Sequence, residues 1–347
     1  MVKWGIIGCG GIARRRMVPA IPHMRETEFV AVMDADAAVT DEVARQIGAV
    51  ARYSTRDLLA DPEVRAVYIA TPVYLHHDQV IEAARSGKHV LVEKPLALTV
   101  QQGEEMIAER RRANVYLVEG YMMKYHSLNA AAAEMVAAGS IGKVVFARAQ
   151  LSCWYPPIPG AWRQERALGG GGALMDMATH CYDLLEFTIG SRIKEVFAFT
   201  DTLTHNYPVD DSSTTLLRFE NGAHGVVDAF FNVPDSAGQD RLELFGDKGS
   251  IQAEGTIGQV PTGKMVAYLS DSAKDYDPQQ SKDSLDVTVR EITREPVNMY
   301  AAEADYLSGC ITSGTAPAVN TGESGLHILK VATAAYSSAA TGRKIQL

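Results

Sequence analysis

Directly after the apolar run at residues 2–7 the chain reads Gly8-Cys9-Gly10-Gly11-Ile12-Ala13, and no other stretch restricts its fold as tightly. The pattern G-x-G-x-x-G/A between a strand and a helix gives each small residue a separate task. Gly8 permits the tight turn, Gly10 lets the backbone approach a pyrophosphate, and Ala13 allows the helix to pack closely on the sheet. The amides that open the helix, at the positive end of its dipole, favour an anion. By itself the pattern also describes an ordinary glycine-rich turn. The next strand, residues 29–33, ends on Asp34, twenty-one positions after Ala13. That is near the distance at which the fingerprint places an acid to accept both adenosine ribose hydroxyls and repel a phosphate there. Asp34 therefore favours NAD over NADP. Arg14, Arg15 and Arg16 could neutralise such a phosphate, but read first as a solvated helix face.

Strand-like and helical stretches then alternate. Helical patterns at 40–47 and 58–60, a strand at 66–70 stopping at Thr71-Pro72, a helix at 76–86 closed by Gly87, a strand to residue 92, a helix at 100–112 and a strand at 115–118 follow in turn. Units of this length imply right-handed crossovers and a doubly wound parallel sheet, complete near residue 122. Ligands bind beyond the carboxyl ends of such strands. One of those ends carries Glu93-Lys94-Pro95, where proline stops the strand and holds Lys94 extended. The plainer reading is a solvated charge pair. His76 and His77 point about 100° apart on a helix, which disfavours a shared metal and leaves a cap or cofactor contact for His76.

Beyond Tyr121 the pattern changes. An alanine-rich helix at 128–138 precedes strand-like runs at 144–150, 196–200, 214–219, 224–231, 242–245 and 265–269, and Asn221-Gly222 and Gly246-Asp247-Lys248-Gly249 have hairpin chemistry. The expectation is a mainly antiparallel sheet with one face buried and the other open, as a broad oligomer interface would be. Residues 270–284 are the best candidate for a mobile loop. Residues 173–188, after Gly169 to Gly172, read as a helix with Asp176, His180 and Asp183 on one face. A histidine flanked by carboxylates can accept a proton, because negative charge stabilises the imidazolium. The alternatives are a buried histidine satisfied by a local carboxylate and, without a second histidine at a suitable spacing, a poorly supported metal site.

Composition narrows the function classes. A net charge of −9 argues against a general nucleic-acid or anionic-membrane binder. The four cysteines are scattered, with neither a disulfide framework nor a Cys-x-x-Cys knuckle, which fits a reducing compartment. The opening residues lack the features of a signal peptide, and no apolar run approaches the ~20 residues of a membrane span. The expectation is a cytoplasmic protein.

Taken together, the chain resembles the Gfo/Idh/MocA oxidoreductases over nearly its whole length. The likeness runs through residues 8–13, Ala70-Thr71-Pro72 with His76, residues 84–90 to Glu93-Lys94-Pro95, residues 140–144, Gly170-Gly171 with Asp176 and His180, and residues 338–343. The resemblance implies an N-terminal Rossmann domain at 1–122, a C-terminal α+β domain at 123–347 built on a large open, mainly antiparallel sheet, and homodimers or homotetramers formed through that sheet. It implies a nicotinamide cofactor, NAD before NADP, held by Gly8, Cys9, Gly10, Gly11, Ile12, Asp34, Thr71, Pro72, His76, Glu93 and Lys94. It places the catalytic roles on Lys94, Asp176 and His180, with no metal. Histidine at 180 brings the chain nearer to inositol dehydrogenase than to glucose-fructose oxidoreductase. Val73 stands where asparagine is frequent. Residues 121–126 resemble the dihydrodiol and xylose dehydrogenase branch, and Trp154 to Pro157 with Trp162-Arg163 are similar to anhydrofructose reductase. Tyr121, Lys124, Trp162 and Arg163 are the candidate substrate contacts. The implied reaction is hydride transfer to or from a secondary hydroxyl or ketone of a sugar or cyclitol. A glycoside-cleaving enzyme using tightly bound NAD for transient oxidation, and a non-catalytic sugar or NAD sensor, are the alternatives.

Overall fold

A computed structural model of the chain describes residues 1–270 and 287–347; of the loop expected at 270–284, all but Ser270 lies outside these. The chain divides into two compact units, the first made of residues 1–122, 160–170 and 298–330, the second of 123–159, 171–297 and 331–347.

In the first unit, β1 (Val2–Ile7), β2 (Thr27–Met33), β3 (Val50–Arg52), β4 (Ala66–Ile69), β5 (His89–Val92) and β6 (Leu117–Glu119) form one sheet. Its order is β3-β2-β1-β4-β5-β6, parallel throughout. This is the doubly wound order whose strand sequence reverses beside β1, at the end of which the glycine loop stands. Helix boundaries follow the residues that can terminate them. Asp36 accepts from Ala38 N and Val39 N to open Ala37–Ile47, and Gly48, at φ 72°, closes it. Thr99 caps Val100–Arg112 through Gln102 N.

The first unit runs through residue 122 and also takes in residues 160–170 and 298–330. Parallel strands are apolar on both faces and require cover on each. Helix Met299–Ser313 supplies part of it, packing on β1, β2 and β5. Trp4 Nε1 donates to Ser308 Oγ at 2.9 Å, and the Thr27 and Ser308 hydroxyls lie 2.7 Å apart. The short helix Arg166–Gly169 likewise packs on Val73–Leu75.

The second unit holds a nine-stranded sheet of β7 (Val144–Ser152), β8 (Ile193–Asp201), β9 (Ser212–Phe219), β10 (His224–Phe230), β11 (Arg241–Gly246), β12 (Gly249–Glu254), β13 (Lys264–Leu269), β14 (Thr288–Glu291) and β15 (Ile345–Gln346). The order is β14-β13-β12-β11-β7-β10-β9-β8-β15, antiparallel except for the central pair β7 and β10. Both expected hairpins are present. Alternation sets the two faces: Leu217 and Phe219 are buried, whereas Leu216 and Arg218 between and beside them are exposed. Helix Thr179–Ile189 covers β7 and packs on Ser127–Ala137. The other face shows Phe199, Leu216 and Val145, and a groove of about 470 Å³ runs along it past Phe146, Phe197 and Val226. Among the described residues no helix is long and apolar enough to cross a membrane.

Candidate active site

In the first unit, the ends of β1, β2, β4 and β5 assemble residues that are far apart in sequence. Gly8 has φ 93°, and a Cβ there would lie 2.7 Å from Thr71 Cγ2 and 2.9 Å from the Ala70 carbonyl carbon. Only glycine allows the two strand ends to meet this closely. Cys9 N donates to Asp34 Oδ2 at 2.7 Å and Asp36 N to Asp34 Oδ1 at 3.0 Å, so the carboxylate is oriented from both sides. The Cys9 thiol, buried and pointed at Met33 O, is pushed up to about 12 by burial and then by the Asp34 charge. Gly10 is exposed, and a Cβ built on it would meet nothing within 4 Å. Ile12 precedes the π-turn Ala13–Met17 and is half-buried. Of the basic cluster, Arg14 is paired with Glu42 at 2.5 Å and the Arg15 guanidinium lies over Gly11.

His76, expected as a cofactor contact, lies between two backbone carbonyls. It is 1% exposed, and its Nε2 and Nδ1 lie 2.9 Å from Thr71 O and 3.0 Å from Pro95 O. Burial drives its pKa down to about 4, so the ring is neutral and donates to one of the two carbonyls at a time. It clamps the turn after β4 to the turn after β5, which carries Lys94. Thr71 Oγ1 is engaged in turn, donating to Gln79 Oε1 at 2.6 Å.

Glu93 is buried, and Tyr68 OH donates to its Oε1 at 2.5 Å. Burial raises its pKa, against the Tyr68 hydrogen bond, the charge of Lys94 and its backbone N–H, and the charge of Arg163. The last of these belongs to segment 160–170, where the Arg163 guanidinium stacks over the Trp162 ring at 4.2 Å from its centroid. Trp162 and Arg163 thus stand on the same unit as Lys94. Tyr121, 2% exposed, is core, with its carbonyl accepting from Asn320 Nδ2 at 3.0 Å.

In the second unit, Asp176 and His180 are held by a different scheme. The expected helix at 173–188 begins as a π-turn, Leu174–Ala178, and becomes α-helical at Thr179–Ile189. Such turns are rare and concentrate at functional sites. Asp176 sits half-buried on the wide turn and His180, 7% exposed, on the first α-turn. The start of this segment is satisfied by Asp210, whose Oδ1 and Oδ2 accept from Gly172 N at 2.9 Å and Leu174 N at 2.8 Å and whose carbonyl accepts from Ala173 N at 2.9 Å. Tyr336 OH donates to the same carboxylate at 2.7 Å. A Cβ on Gly171 would fall 2.0 Å from Tyr336 Oη, and one on Gly172 would fall 1.9 Å from Asp210 O. The glycines therefore serve approach by other parts of the chain.

Asp183, the third residue of the expected face, is 3% exposed and forms an ion pair with Lys124 at 2.6 Å. Burial pushes Asp183 up to about 6, against the pull of Lys124. The amine of Lys124, expected to meet a substrate, is therefore committed to a buried carboxylate. Among the described residues no group of three His, Cys, Asp or Glu is placed to hold a metal. Sequence reasoning missed Asp210, Tyr336 and Tyr68. Only Tyr68 left a local signal, a hydroxyl inside an otherwise apolar strand that must find a partner when buried.

Residues 2–121 match the family described as "Oxidoreductase family, NAD-binding Rossmann fold", and residues 129–252 match the "GFO/IDH/MocA C-terminal domain". The chain belongs to the GFO/IDH/MocA oxidoreductase family. As a member it is an oxidoreductase with an NAD-binding Rossmann domain. It is 29% identical to 1,5-anhydro-D-fructose reductase of Ensifer adhaerens, over 100% of this chain and 99% of that one. It is also 29% identical to D-xylose 1-dehydrogenase (NADP(+)) 2 of Haloferax volcanii, over 100% of both. Among solved structures it is similar to aldose-aldose oxidoreductase from Caulobacter crescentus, with 29% identity, a TM-score of 0.88 and coverage of 100% of this chain and 99% of that one.

Proposed function

We propose that this GFO/IDH/MocA oxidoreductase interconverts a secondary hydroxyl and the corresponding ketone on a sugar, cyclitol or sugar derivative, with NAD as its cofactor. The observation that carries the reading is the loop after β1, where Gly10 is open and Asp34 is held by Cys9 N and Asp36 N. These residues fit a dinucleotide: residues 8–12 would hold the pyrophosphate, and Asp34 would accept the ribose hydroxyls. The pairing of Arg14 with Glu42 supports NAD over NADP, since it removes one cation that a 2′-phosphate would need. The bound nicotinamide supplies the acceptor or donor of the hydride.

The remaining chemistry belongs to side chains. In the oxidative direction His180 takes the proton of the substrate hydroxyl on a ring nitrogen, and Asp176 stabilises the imidazolium that results. The Lys94 ammonium donates a hydrogen bond to the reacting oxygen and favours the negative charge that develops there. Clamping by His76 limits the motion of the Lys94 turn. The sugar class rests on the relatives, named for an anhydrofructose and for xylose. The open apolar face of the nine-stranded sheet supports a homodimer or homotetramer, and four cysteines not joined in disulfides support a cytoplasmic location.

The test is a panel of aldoses, cyclitols and anhydro-sugars with NAD and NADP, read by absorbance of the reduced nicotinamide. On the best substrate, Lys94→Ala and His180→Ala should each lower kcat by roughly 10²–10⁴-fold, and His180→Ala should leave dinucleotide binding in place. Near wild-type turnover in either variant removes that residue's assigned role.

A further inference from the structure

Tyr68 has no part in the reaction as described, yet it carries a buried hydroxyl. It lies within β4, whose four residues are all buried, and is itself 0% exposed. Phenylalanine would fill the same space without a hydroxyl to satisfy. That hydroxyl reaches across the sheet, past its register partner Leu91 on β5, to the carboxylate of Glu93 just beyond the strand end. The carboxylate also accepts from the backbone N–H of Lys94. A chain of hydrogen bonds therefore runs from the sheet interior to the base of the lysine.

We propose that Tyr68 is a positioning residue for the reaction: its hydroxyl holds the Glu93 carboxyl group in place beside Lys94, which keeps the lysine aimed. This rests on the reading of Lys94 as the group that meets the reacting oxygen. The surroundings of Glu93 show why a donor is needed. Lys94 on its own turn and Arg163 from segment 160–170 favour the anion. Burial opposes it, and Glu303 on helix Met299–Ser313 adds a second carboxylate close enough to act on Tyr68 and Tyr300. Tyr300, on the same helix, is buried and under the influence of Glu93 and Glu303. Asn320 Nδ2 donates to Glu303 Oε1 at 3.2 Å. On neighbouring β6, the Glu119 carboxylate lies against Gly325, and Gly120 leaves room for Glu93, whose Cδ and Oε2 would be 3.4 Å from a Cβ there. His76 takes the Pro95 carbonyl on the other side of Lys94.

The tyrosine itself does not titrate in the working range, because burial and then Glu93 push it well above 10. It is a permanent donor. The Tyr68 hydrogen bond lowers the pKa of Glu93 against burial, so removing it lets burial raise that pKa further. In Tyr68→Phe, Glu93 would take up its proton at a higher pH than in wild type, and its hold on Lys94 would weaken.

The experiment compares wild type, Tyr68→Phe, Glu93→Gln and Lys94→Ala. Glu93→Gln keeps an acceptor for Tyr68 and removes only the charge, so it tests the idea even if Tyr68→Phe folds poorly. The first readout, on protein without cofactor or substrate, is the rate at which an amine-reactive ester labels Lys94, followed by the mass of its peptide across pH. Both Tyr68→Phe and Glu93→Gln should label about ten-fold faster at pH 8, because the lysine side chain is no longer held toward the carboxylate and meets the ester more often. The second is the pH profile of kcat, whose acid limb should move to higher pH in Tyr68→Phe and disappear in Glu93→Gln. Wild-type labelling and an unmoved acid limb in both variants, with Lys94→Ala inactive, would overturn the role of Tyr68 and leave that of Lys94 standing. An active Lys94→Ala would instead overturn the reading beneath it.

Discussion

Around Asp34, the carboxylate is oriented by backbone N–H groups 25 and 2 positions away, within one strand-turn-helix unit and the loop before it. Around His180, the helix start is held by Asp210 and Tyr336, and for Gly172 these partners lie 38 and 164 positions away. The first arrangement is a local device that a short sequence pattern can encode. The second exists only after distant strands and the last helix have come together. A dinucleotide is a constant ligand and suits a constant local motif. The relatives are named for different sugars, and the proposed substrate groups come from many parts of the fold.

The sharpest break of this contrast is Lys124→Met, which strips a buried carboxylate of its cation in the second unit. A loss of roughly 3–5 kcal/mol in unfolding free energy is expected by denaturant titration at pH 8. The sign of its pH dependence is unusual for an aspartate. Asp183 already stands at about 6 in the folded protein, above its ordinary 3.8, because of burial, and without Lys124 it rises further. The folded variant then holds a proton that the unfolded chain releases, so its stability falls as pH rises above about 4, and the deficit is smallest near pH 4.

That pair also shows what could be read in advance. Asp176, His180 and Asp183 were legible as one helix face from spacing alone, but nothing in the sequence says that Lys124 neutralises Asp183, because the two come from separate elements. The parallel sheet, the position of Asp34 and the hairpins at Asn221-Gly222 and Gly246 to Gly249 were legible because period, spacing and turn chemistry are local. Segments 160–170 and 298–330 were not, since their membership of the first unit depends on which sheet face lacks cover. The π-turn at Leu174–Ala178 was also hidden, because spacing assumes an α-helix throughout.

The same substitution at two glycines refines the comparison. Gly172→Ala drives a Cβ to 1.9 Å from Asp210 O, a backbone atom that has to shift, and should cost roughly 1–3 kcal/mol by thermal unfolding. Gly10→Ala meets no protein atom within 4 Å. It should leave stability within about 0.5 kcal/mol while weakening NADH binding, followed by its fluorescence, about ten-fold. Equal stability losses would abolish the distinction between a glycine kept for the chain and one kept for a ligand.

Smaller effects are expected in the first unit. Asp34→Asn removes the charge that repels a ribose phosphate, and the ratio of kcat/KM for NAD to that for NADP should fall about ten-fold, or ~1.4 kcal/mol. An unchanged ratio would move cofactor choice to the arginines of the following helix. Asp36→Ala removes the acceptor for Ala38 N and Val39 N and should cost about 1 kcal/mol by denaturant titration, with kcat unaltered.

The burial of Cys9 has a consequence for handling and for oxidative stress. A thiol that ionises near 12 exposes only about one part in 10⁵ as thiolate at pH 7, and it is the thiolate that reacts with peroxides, alkylating agents and disulfides. The cysteine in the most sensitive loop of the enzyme is therefore among its least reactive. Peroxide or iodoacetamide should leave this loop unmodified in the folded protein and reach it only once the chain unfolds, which makes Cys9 labelling a reporter of unfolding.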